Sequence, residues 1–480
     1  MKTIGRSSYN SSGQSGTPLA QLSICAILFI LCLVTYHGTG DNFFFNDDFL
    51  WLQDAAHTMT LSNLWSHRVI DFFRPLVNLT FYLSERISPG DILFYNWTNL
   101  LLHFLNAVLV YVLLTALLRD RLVAAVAGIL FAVTCVHTGA VFWVSARTTL
   151  LSTCLLLGAL VLLTRPRFGV IGPLVLYILA LAAKETAAVG CLLVLLIYSV
   201  AGNDRRRAVG RGDVAAFMFV TLLYFVLRLL LMGRFFQENW SLGPHLLRNL
   251  GGGFLYQLYP WPLFSFVFRS AGHFAAPQQL LWPEVLALPL VALLVWLGWR
   301  MRKRRSMLLA VGWSLIALLP SSLFTYRFFS TESMTQNRYY YLSSVGSVLI
   351  ITLLLAMVWR TRNRVRKATA VALFIIVCAG YMIRVDALEK RWDAFTHNYQ
   401  RVISIVLDEV RRAPEASTLA IEDAPMEFRY LEGALGYLHP EWNVHVAEDG
   451  RESARQWAPC LYIHFELEPG MLNVSSTMVE

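Results

Sequence analysis

Charged residues are scarce in this chain of 480 residues: Asp, Glu, Lys and Arg make up 15% of it, whereas 56% is hydrophobic. That balance is far from a typical soluble domain, in which about a quarter of the residues are charged. Apolar runs of roughly 18 residues or more indicate helices that cross a bilayer. The composition therefore excludes a soluble globular protein and predicts a polytopic membrane protein.

Cysteine patterns and nucleotide motifs are missing as well. Six of the seven cysteines lie in apolar segments and only Cys460 lies in the polar tail, so the sequence has neither a disulfide framework nor metal-ligand spacing. It also has no recognisable nucleophile triad and no glycine-rich phosphate loop. For an enzyme that transfers a sugar, the absence of a nucleotide motif would favour a lipid-phosphate donor over a nucleotide sugar.

Eleven apolar segments are candidate spans, and they set the predicted fold class of an all-α polytopic membrane protein with about 11 transmembrane helices. The segment 250–268 is rich in glycine and proline and is interpreted as re-entrant or interfacial. The eleven spans are residues 18–37, 97–118, 122–138, 142–164, 169–183, 187–201, 214–232, 279–299, 306–325, 341–359 and 368–385.

Basic connections set the predicted orientation. "RDR", "RPR", "NDRRRAVGRGD", "RMRKRR" and "RTRNRVRK" all fall on the side of the N-terminus, and the positive-inside rule makes that side cytoplasmic. Residues 1–17 then form a cytoplasmic tail, and the first apolar stretch is an anchor rather than a removed signal. We expect a multi-pass protein of the plasma or inner membrane, or of the ER membrane in a eukaryote, with its C-terminus outside.

The outer side carries the loops and the tail. Three outer loops, 38–96, 233–278 and 326–340, connect the spans of a transmembrane domain at 18–387. The tail, 388–480, combines a helical stretch with short strand-like runs such as "CLYIHFEL". This pattern predicts a small extracytoplasmic α/β domain.

Ionisable residues at membrane depth gather on the same outer side. A charge within or beside a span is costly, which makes such residues candidates for function. Both signs of charge in one compartment predict a polar chamber that opens outward. The residues are Asp47 and Asp48 in "FFFNDDFLWL", followed by Arg74, His137, Arg147, Lys184, Glu185, Arg327 and Arg338.

Each of these residues also has a structural interpretation. Asn46 before two aspartates is a typical helix start, with an N-cap and negative charge at the positive end of the dipole. Lys184 and Glu185 would be interfacial charges, Arg338 a boundary residue beside an aromatic belt, and His137 a structural histidine. A functional site is favoured only because several charges of both signs are predicted on the same side of the membrane.

Six motifs follow one another along residues 40–350, namely "NDDFLWL", "FFRPLVNLTFYL", "YNWTNLLLHFLNAVLVYVLL", "HTGAVFWVSARTTLLSTCLLL", "LAAKETAAV" and "NRYYYLSSVG". In this order they resemble GT-C fold membrane glycosyltransferases. The series resembles most the membrane part of the tetratricopeptide-containing O-mannosyltransferases and their bacterial relatives. The chain differs by having an acidic tail in place of a tetratricopeptide array, and by "HTGAVFW", where the family more often has a proline after the histidine.

The resemblance implies an inverting enzyme that takes a sugar from a polyprenyl-phosphate carrier on the outer face. It implies that an acidic residue of the first outer loop, Asp47 or Asp48, is essential, and that basic residues of later loops meet the carrier phosphate. The expected partners are the lipid-linked donor, membrane lipid, and a glycan, lipid or protein acceptor. No nucleic acid is expected.

The residues agree with that chemistry. A carboxylate within hydrogen-bond reach of the acceptor hydroxyl can serve as base, and Asp47 and Asp48 are equal candidates. Arg338 is the first candidate for the departing phosphate because a guanidinium pairs two phosphate oxygens. Lys184, Arg147 and Arg74 are second candidates for the phosphate. The supporting candidates are Glu185, His137, His103 and Tyr340, and Asp48 is also a candidate ligand for a divalent metal, Mg or Mn.

Other functions fit parts of the pattern. A transporter or flippase of lipid-linked sugars would also have many spans and buried charges, although here the charges gather at the outer ends and no repeat is visible. An inactive structural or assembly subunit, and a ligase or polymerase that acts on pyrophosphate-linked glycans, are further alternatives. The paired aspartates after the first span favour a transferase that uses a monophosphate-linked sugar.

Overall fold

The computed structural model describes residues 18–40, 42–70, 72–165, 168–200, 209–233, 240–258, 283–301, 303–325, 335–413, 418–446, 454–468 and 471–479. The predicted tail at 1–17, Arg327 and residues 259–268 of the expected re-entrant segment lie outside these ranges. The first part of that segment is helical.

Sixteen helices occur in the described residues, and the mostly helical architecture confirms the predicted fold class. They are α1 Pro18–Thr35, α2 Asp47–Gln53, α3 Pro75–Ile87, α4 Ile92–Leu118, α5 Arg121–Val133, α6 Thr138–Val141, α7 Arg147–Leu163, α8 Ile171–Ala183, α9 Gly190–Val200, α10 Arg211–Met232, α11 Pro244–Leu258, α12 Pro283–Arg300, α13 Arg304–Ser322, α14 Ser344–Trp359, α15 Arg364–Arg412 and α16 Phe428–Leu438.

Each of the eleven expected spans coincides with an apolar helix or helix pair. Within the described residues, five helices are long and apolar enough to cross a bilayer, namely α4, α7 with the turn before it, α10, α13 and α15. A sixth span results if Arg121–Val133 and Cys135–Val141, bent by 52°, are one broken span. The other five, α1, α8, α9, α12 and α14, are shorter apolar helices. The number of spans stays a prediction.

Chain direction places the basic connections at one end of the bundle and the charged candidates at the other. Helix α7 begins at Arg147 and ends at Leu163, just before "RPR". Helix α8 returns from that connection and ends at Ala183, so Lys184 comes back to the end where α7 began. The fold thereby separates the candidate site from the basic connections by the length of a helix.

The C-terminal region combines α15 and α16 with a four-stranded sheet. The strands are β1 Thr418–Glu422, β2 Asn443–Val446, β3 Cys460–Glu468 and β4 Met471–Val479, in the order β2-β1-β3-β4. Strand β1 is parallel to β2 and β3, whereas β3 and β4 are antiparallel. Helix α15 runs without a break from 364 to 412, through the predicted domain boundary at 388.

Close packing between α13 and α14 depends on a glycine. A Cβ at Gly346 would stand 2.4 Å from the Ala310 carbonyl oxygen and 2.6 Å from the Ser314 backbone nitrogen. Both atoms belong to the main chain of α13 and cannot move aside without shifting the helix. The small residue therefore lets the two helices approach closely, as is common in membrane bundles.

We expect Gly346→Ala to destabilise the protein by about 1–3 kcal/mol, because the added methyl group overpacks this contact. The measurement is the thermal unfolding midpoint in detergent. Gly212→Ala is the control, since a Cβ there meets no atom within 4 Å. An unchanged midpoint for Gly346→Ala would contradict the described packing of α13 against α14.

Candidate active site

Helix α2 presents the two adjacent aspartates after a strained turn. Asn46 precedes the helix with a positive φ of 49°, which asparagine tolerates better than most residues. Its side chain does not cap α2; the Asn46 Oδ1 accepts a hydrogen bond of 2.6 Å from the Tyr399 hydroxyl of α15. The prediction that the Asn46 side chain caps α2 is therefore wrong. The side chain is bound to Tyr399 of α15 instead.

Asp48 is buried and its carboxylate joins two distant segments. Its Oδ1 accepts hydrogen bonds from the Ser145 backbone N–H at 2.6 Å and the Ser145 hydroxyl at 2.5 Å. Its Oδ2 accepts the Phe45 backbone N–H at 3.0 Å. The indole of Trp143 donates to the Phe45 carbonyl at 3.1 Å, which strengthens the same junction. Asp48 thus fixes α2 against the turn that precedes α7.

Burial raises the pKa of Asp48 to about 7, although the hydrogen bonds from Ser145 and Phe45 act in the opposite direction. The adjacent Asp47 contributes a smaller increase. The carboxyl group therefore changes its charge near neutral pH.

Asp47 faces a small polar cavity of about 60 Å³, and this cavity also brings together four other candidates. Arg74 comes from the start of α3, Lys184 and Glu185 from the turn after α8, and Arg338 from the turn before α14. Trp143, Ser145 and Tyr339 also line this cavity, beside the charged residues. Residues up to 291 positions apart in the chain therefore meet at one place.

Arg338 is half-buried and held by neutral groups. Its guanidinium donates to the Thr335 carbonyl at 2.8 Å and to the Tyr339 hydroxyl at 3.1 Å. The guanidinium carbon lies 4.3 Å from the centre of the Trp143 ring and 4.6 Å from that of Tyr339. Aromatic faces support the positive charge without neutralising it.

Lys184 is buried beside two other cations. Its ammonium donates to the Thr149 hydroxyl at 2.6 Å and lies 5.7 Å from the centre of the Tyr339 ring. Burial lowers the pKa of Lys184 well below its ordinary value, and the nearby Arg74 and Arg338 lower it further. An anion in the cavity would favour the charged form of this lysine.

Arg74 forms a buried ion pair with Glu185. The guanidinium approaches the carboxylate at 2.9 Å through one nitrogen, and Nε donates at 3.3 Å, so the pair is bidentate. Arg74 also lies over the Phe72 ring at 3.9 Å. Because its charge is balanced by Glu185, Arg74 is the least available of the three cations at the cavity.

Four predicted residues lie elsewhere in the core. Arg147 is fully buried, donates to the Ser84 hydroxyl at 2.9 Å and stacks over Phe81 and Tyr95. His103 contacts the Tyr341 hydroxyl at 2.8 Å, and His137 contacts the Ser344 hydroxyl at 2.7 Å. Tyr340 stacks on Tyr256. None of the four lines the described cavity.

Sequence reasoning missed several residues that shape the cavity. Trp143 and Ser145 lie within the quoted stretch "HTGAVFWVSAR", and Tyr339 lies within "NRYYYL", yet only the charged residues were singled out. A tryptophan and a serine two positions apart in a tight turn between apolar segments are a usable signal, because one supplies a ring face and the other a hydroxyl.

The C-terminal region borders the site from the other side of α2. A Cβ at Gly433 would meet Leu50, and one at Gly436 would meet Gln53, so α16 runs parallel to α2 in close contact. The same register places Tyr430 opposite Asp47, three positions earlier in both helices. The Tyr437 hydroxyl donates to buried Glu85 of α3 at 2.9 Å. Helix α16 thus braces both α2 and α3.

The donor set does not favour a metal at Asp48. Three donors already occupy its two oxygens, and Glu185 is bound to Arg74. Among the described residues, one group of three has its candidate ligand atoms within 4.8 Å of one another. It consists of Glu422 and Asp423 at the carboxyl end of β1 and His464 in β3. A metal at Asp48 stays a prediction, and no step below passes through one.

The fold is that of the GT-C membrane glycosyltransferases, as the archaeal oligosaccharyltransferase AglB from Archaeoglobus fulgidus, in complex with an inhibitory peptide and a dolichol-phosphate, shows. AglB superimposes with a TM-score of 0.53 over 93% of this chain and 69% of its own, at 11% identity. ArnT from Cupriavidus metallidurans bound to undecaprenyl phosphate gives a TM-score of 0.48 over 94% of both chains, at 12% identity.

In sequence, the chain is 32% identical over 225 residues to the protein O-mannosyl-transferase Tmtc1 of Drosophila melanogaster. The alignment covers 43% of this chain and 26% of the relative, so the chain spans about a quarter of that protein's length. No protein-family model matches the sequence. The predicted resemblance to GT-C glycosyltransferases is confirmed.

A pH series of unfolding midpoints tests the burial of Asp48. Its folded-state pKa of about 7 lies above the ordinary 3.8, so between these values the folded chain binds more protons than the unfolded chain. The contribution of this group to stability is most favourable below that interval and declines as the pH rises through it. We expect Asp48→Asn to remove this decline.

Asp47→Asn is the matched control because it removes the same formal charge from the same helix. It should retain the decline that the wild-type chain shows. Identical pH dependence in the wild type and Asp48→Asn would contradict a buried, titrating Asp48.

Proposed function

We propose that the protein is an inverting glycosyltransferase that moves a sugar from a polyprenyl-phosphate donor to an acceptor hydroxyl. The observation that carries the proposal is the shared cavity, where the Asp47 carboxylate stands with the cations Lys184 and Arg338. A base and a cationic site are the two groups that this reaction needs. The GT-C fold adds support at the level of architecture.

Asp47 is the proposed base. The acceptor oxygen attacks the anomeric carbon and its proton passes to Asp47, while the bond from that carbon to the phosphate oxygen breaks. Asp47 suits this role better than Asp48, because Asp47 lines the cavity and the oxygens of Asp48 are engaged by Ser145 and Phe45. Asp48 is then a positioning residue, which orients α2.

Arg338 and Lys184 are proposed to receive the phosphate. The bonding electrons leave with the phosphate oxygen, and the additional negative charge develops beside these two cations. Neither makes an ion pair with a carboxylate in the described part of the chain, in contrast to Arg74. Fixed cations that are not ion-paired with a carboxylate are suited to stabilise charge that appears only as the bond breaks.

The donor and acceptor classes come from the relatives. AglB is described with a dolichol-phosphate and a peptide, and Tmtc1 is named an O-mannosyl-transferase. We therefore propose a polyprenyl-phosphate hexose, with mannose as the first sugar to test, and a hydroxyl-bearing protein, lipid or glycan acceptor. The cavity lies at the end of the bundle opposite the basic connections, which supports a reaction on the outer face.

The proposed function is tested by mass spectrometry of the glycans, lipids and proteins of the envelope, in cells with and without the gene. We expect one hexose to disappear from a defined acceptor in the deletion strain. Accumulation of a lipid-linked sugar on the cytoplasmic side, with its transfer intact when the donor is supplied outside, would instead support a transporter or flippase.

Complementation with Asp47→Asn should fail to restore that hexose, because the amide cannot accept the hydroxyl proton. The loss in rate should be roughly 10²-fold or more, the range for removal of a general base. The protein level and detergent unfolding midpoint should match the wild type. Normal transfer by Asp47→Asn would show that Asp47 is not the base. Loss of transfer in Asp48→Asn alone would then identify Asp48 as the base.

Arg338→Ala should weaken binding of dolichyl or undecaprenyl phosphate to the purified protein by roughly tenfold or more, since hydrogen bonds to a charged group contribute about 1.5–3 kcal/mol. The measurement is a binding isotherm with the carrier phosphate alone. Arg68→Ala is the control, because Arg68, in the loop 38–96, is a cation that does not line the cavity. Equal affinities for Arg338→Ala and the wild type would remove Arg338 from the donor site.

A further inference from the structure

Two adjoining cavities lie at the basic end of the bundle, far from the candidate active site. The first, of about 310 Å³, lies between the α4–α5 turn, the α12–α13 turn and the end of α14. The second, of about 230 Å³, lies between α5, α14 and α15. Val123, Ala356 and Arg360 line both, so the two spaces meet at the end of α14.

The two cavities differ in chemistry. Lys303, Arg360, Ser306 and Asp120 provide polar groups in the first. The second is lined by apolar side chains apart from Thr352 and Arg360; the apolar residues are Leu122, Val123, Val126, Leu355, Ala356, Trp359, Ala370, Val371 and Phe374. A charged compartment that continues into an apolar one matches an amphiphile with a charged head.

The charges of the first compartment leave a positive excess. Arg360 forms an ion pair with Asp120, which also caps α5. Lys303 is exposed and forms no ion pair with any residue in the described ranges. One cation is thus balanced and one is free, which suits a ligand with a single negative charge.

The position also fits the depth of a lipid headgroup. Trp359, next to Arg360, and Trp299, four positions before Lys303, are exposed at 38% and 66%. Exposed tryptophans are typical of the membrane–water interface. An apolar cavity at this depth is unfavourable for water, whereas basic sites between transmembrane helices bind anionic lipid headgroups.

We propose that these cavities bind one anionic phospholipid from the leaflet on the basic side of the membrane. Its phosphate lies at Lys303 and Arg360, and one acyl chain fills the apolar cavity between α5, α14 and α15. The lipid then ties the α12–α13 turn to the ends of α5 and α14. This site is independent of the proposed transfer reaction at the opposite end of the bundle.

Native mass spectrometry of the full chain tests the proposal, with phosphatidylglycerol and phosphatidylcholine of identical acyl chains as probes. We expect one phosphatidylglycerol to remain bound at activation energies that strip phosphatidylcholine. Lys303→Gln should weaken phosphatidylglycerol binding about fivefold, as expected for one cation near an anionic headgroup. Asp120→Asn, which keeps the helix cap and frees Arg360, should strengthen binding.

Lys367→Gln is the matched control, because Lys367 is a cation at the start of α15 on the same side and does not line either cavity. Ala356→Trp should block both spaces and abolish retention of the lipid. Equal retention of the two lipids, an equal loss in Lys367→Gln, or unchanged binding in Lys303→Gln would each overturn the proposal.

Discussion

The hydrogen bonds between Asp48 and Ser145 are the constraint on which the site depends. They connect the loop after α1 to the turn before α7 across 97 positions of the chain, and they do so inside the protein. Because consecutive residues of a helix point about 100° apart, anchoring Asp48 inward directs Asp47 toward the cavity. The two adjacent carboxylates therefore differ in their contacts. Asp48 holds the helix in place, and Asp47 faces the space where a substrate would bind.

The C-terminal region belongs to the same construction. Helix α16 packs parallel to α2 through Gly433 and Gly436, and Tyr437 reaches Glu85 of α3, while Tyr399 of α15 holds Asn46. A helix as short as α2 is not stable alone, so its orientation comes from the elements packed on both of its faces. The C-terminal region thus braces the helix that carries the candidate base.

The sequence was sufficient to predict the positions of the helices and the presence of charged residues at one end of the bundle. It was not sufficient to predict the direction in which each side chain points. Each predicted span coincides with an apolar helix or helix pair of the described residues. The positions of charges at span ends were sufficient to predict that Asp47, Lys184 and Arg338 meet. The role of Arg147 could not be predicted, because the same position at a helix start can face a cavity or the core, and here it faces Ser84, Phe81 and Tyr95. Likewise, only contacts between distant segments distinguish Asp47 from Asp48, and those contacts leave no local pattern.

The electrostatics of the cavity explain why an anion would bind there. Three cations, Arg74, Lys184 and Arg338, line one small space together with the carboxylates of Asp47 and Glu185. Glu185 forms its ion pair with Arg74. Lys184 and Arg338 are stabilised instead by a hydroxyl, a carbonyl and aromatic rings, which satisfy hydrogen bonds without cancelling charge. Burial and the two neighbouring cations disfavour the charged form of Lys184, so a phosphate placed beside Lys184 and Arg338 would favour that charged form. Because the aromatic walls and helix ends already hold these groups, little reorganisation is needed when negative charge arrives or increases. Under the proposed function, the same arrangement would favour the binding of a phosphate and the departure of a phosphate leaving group.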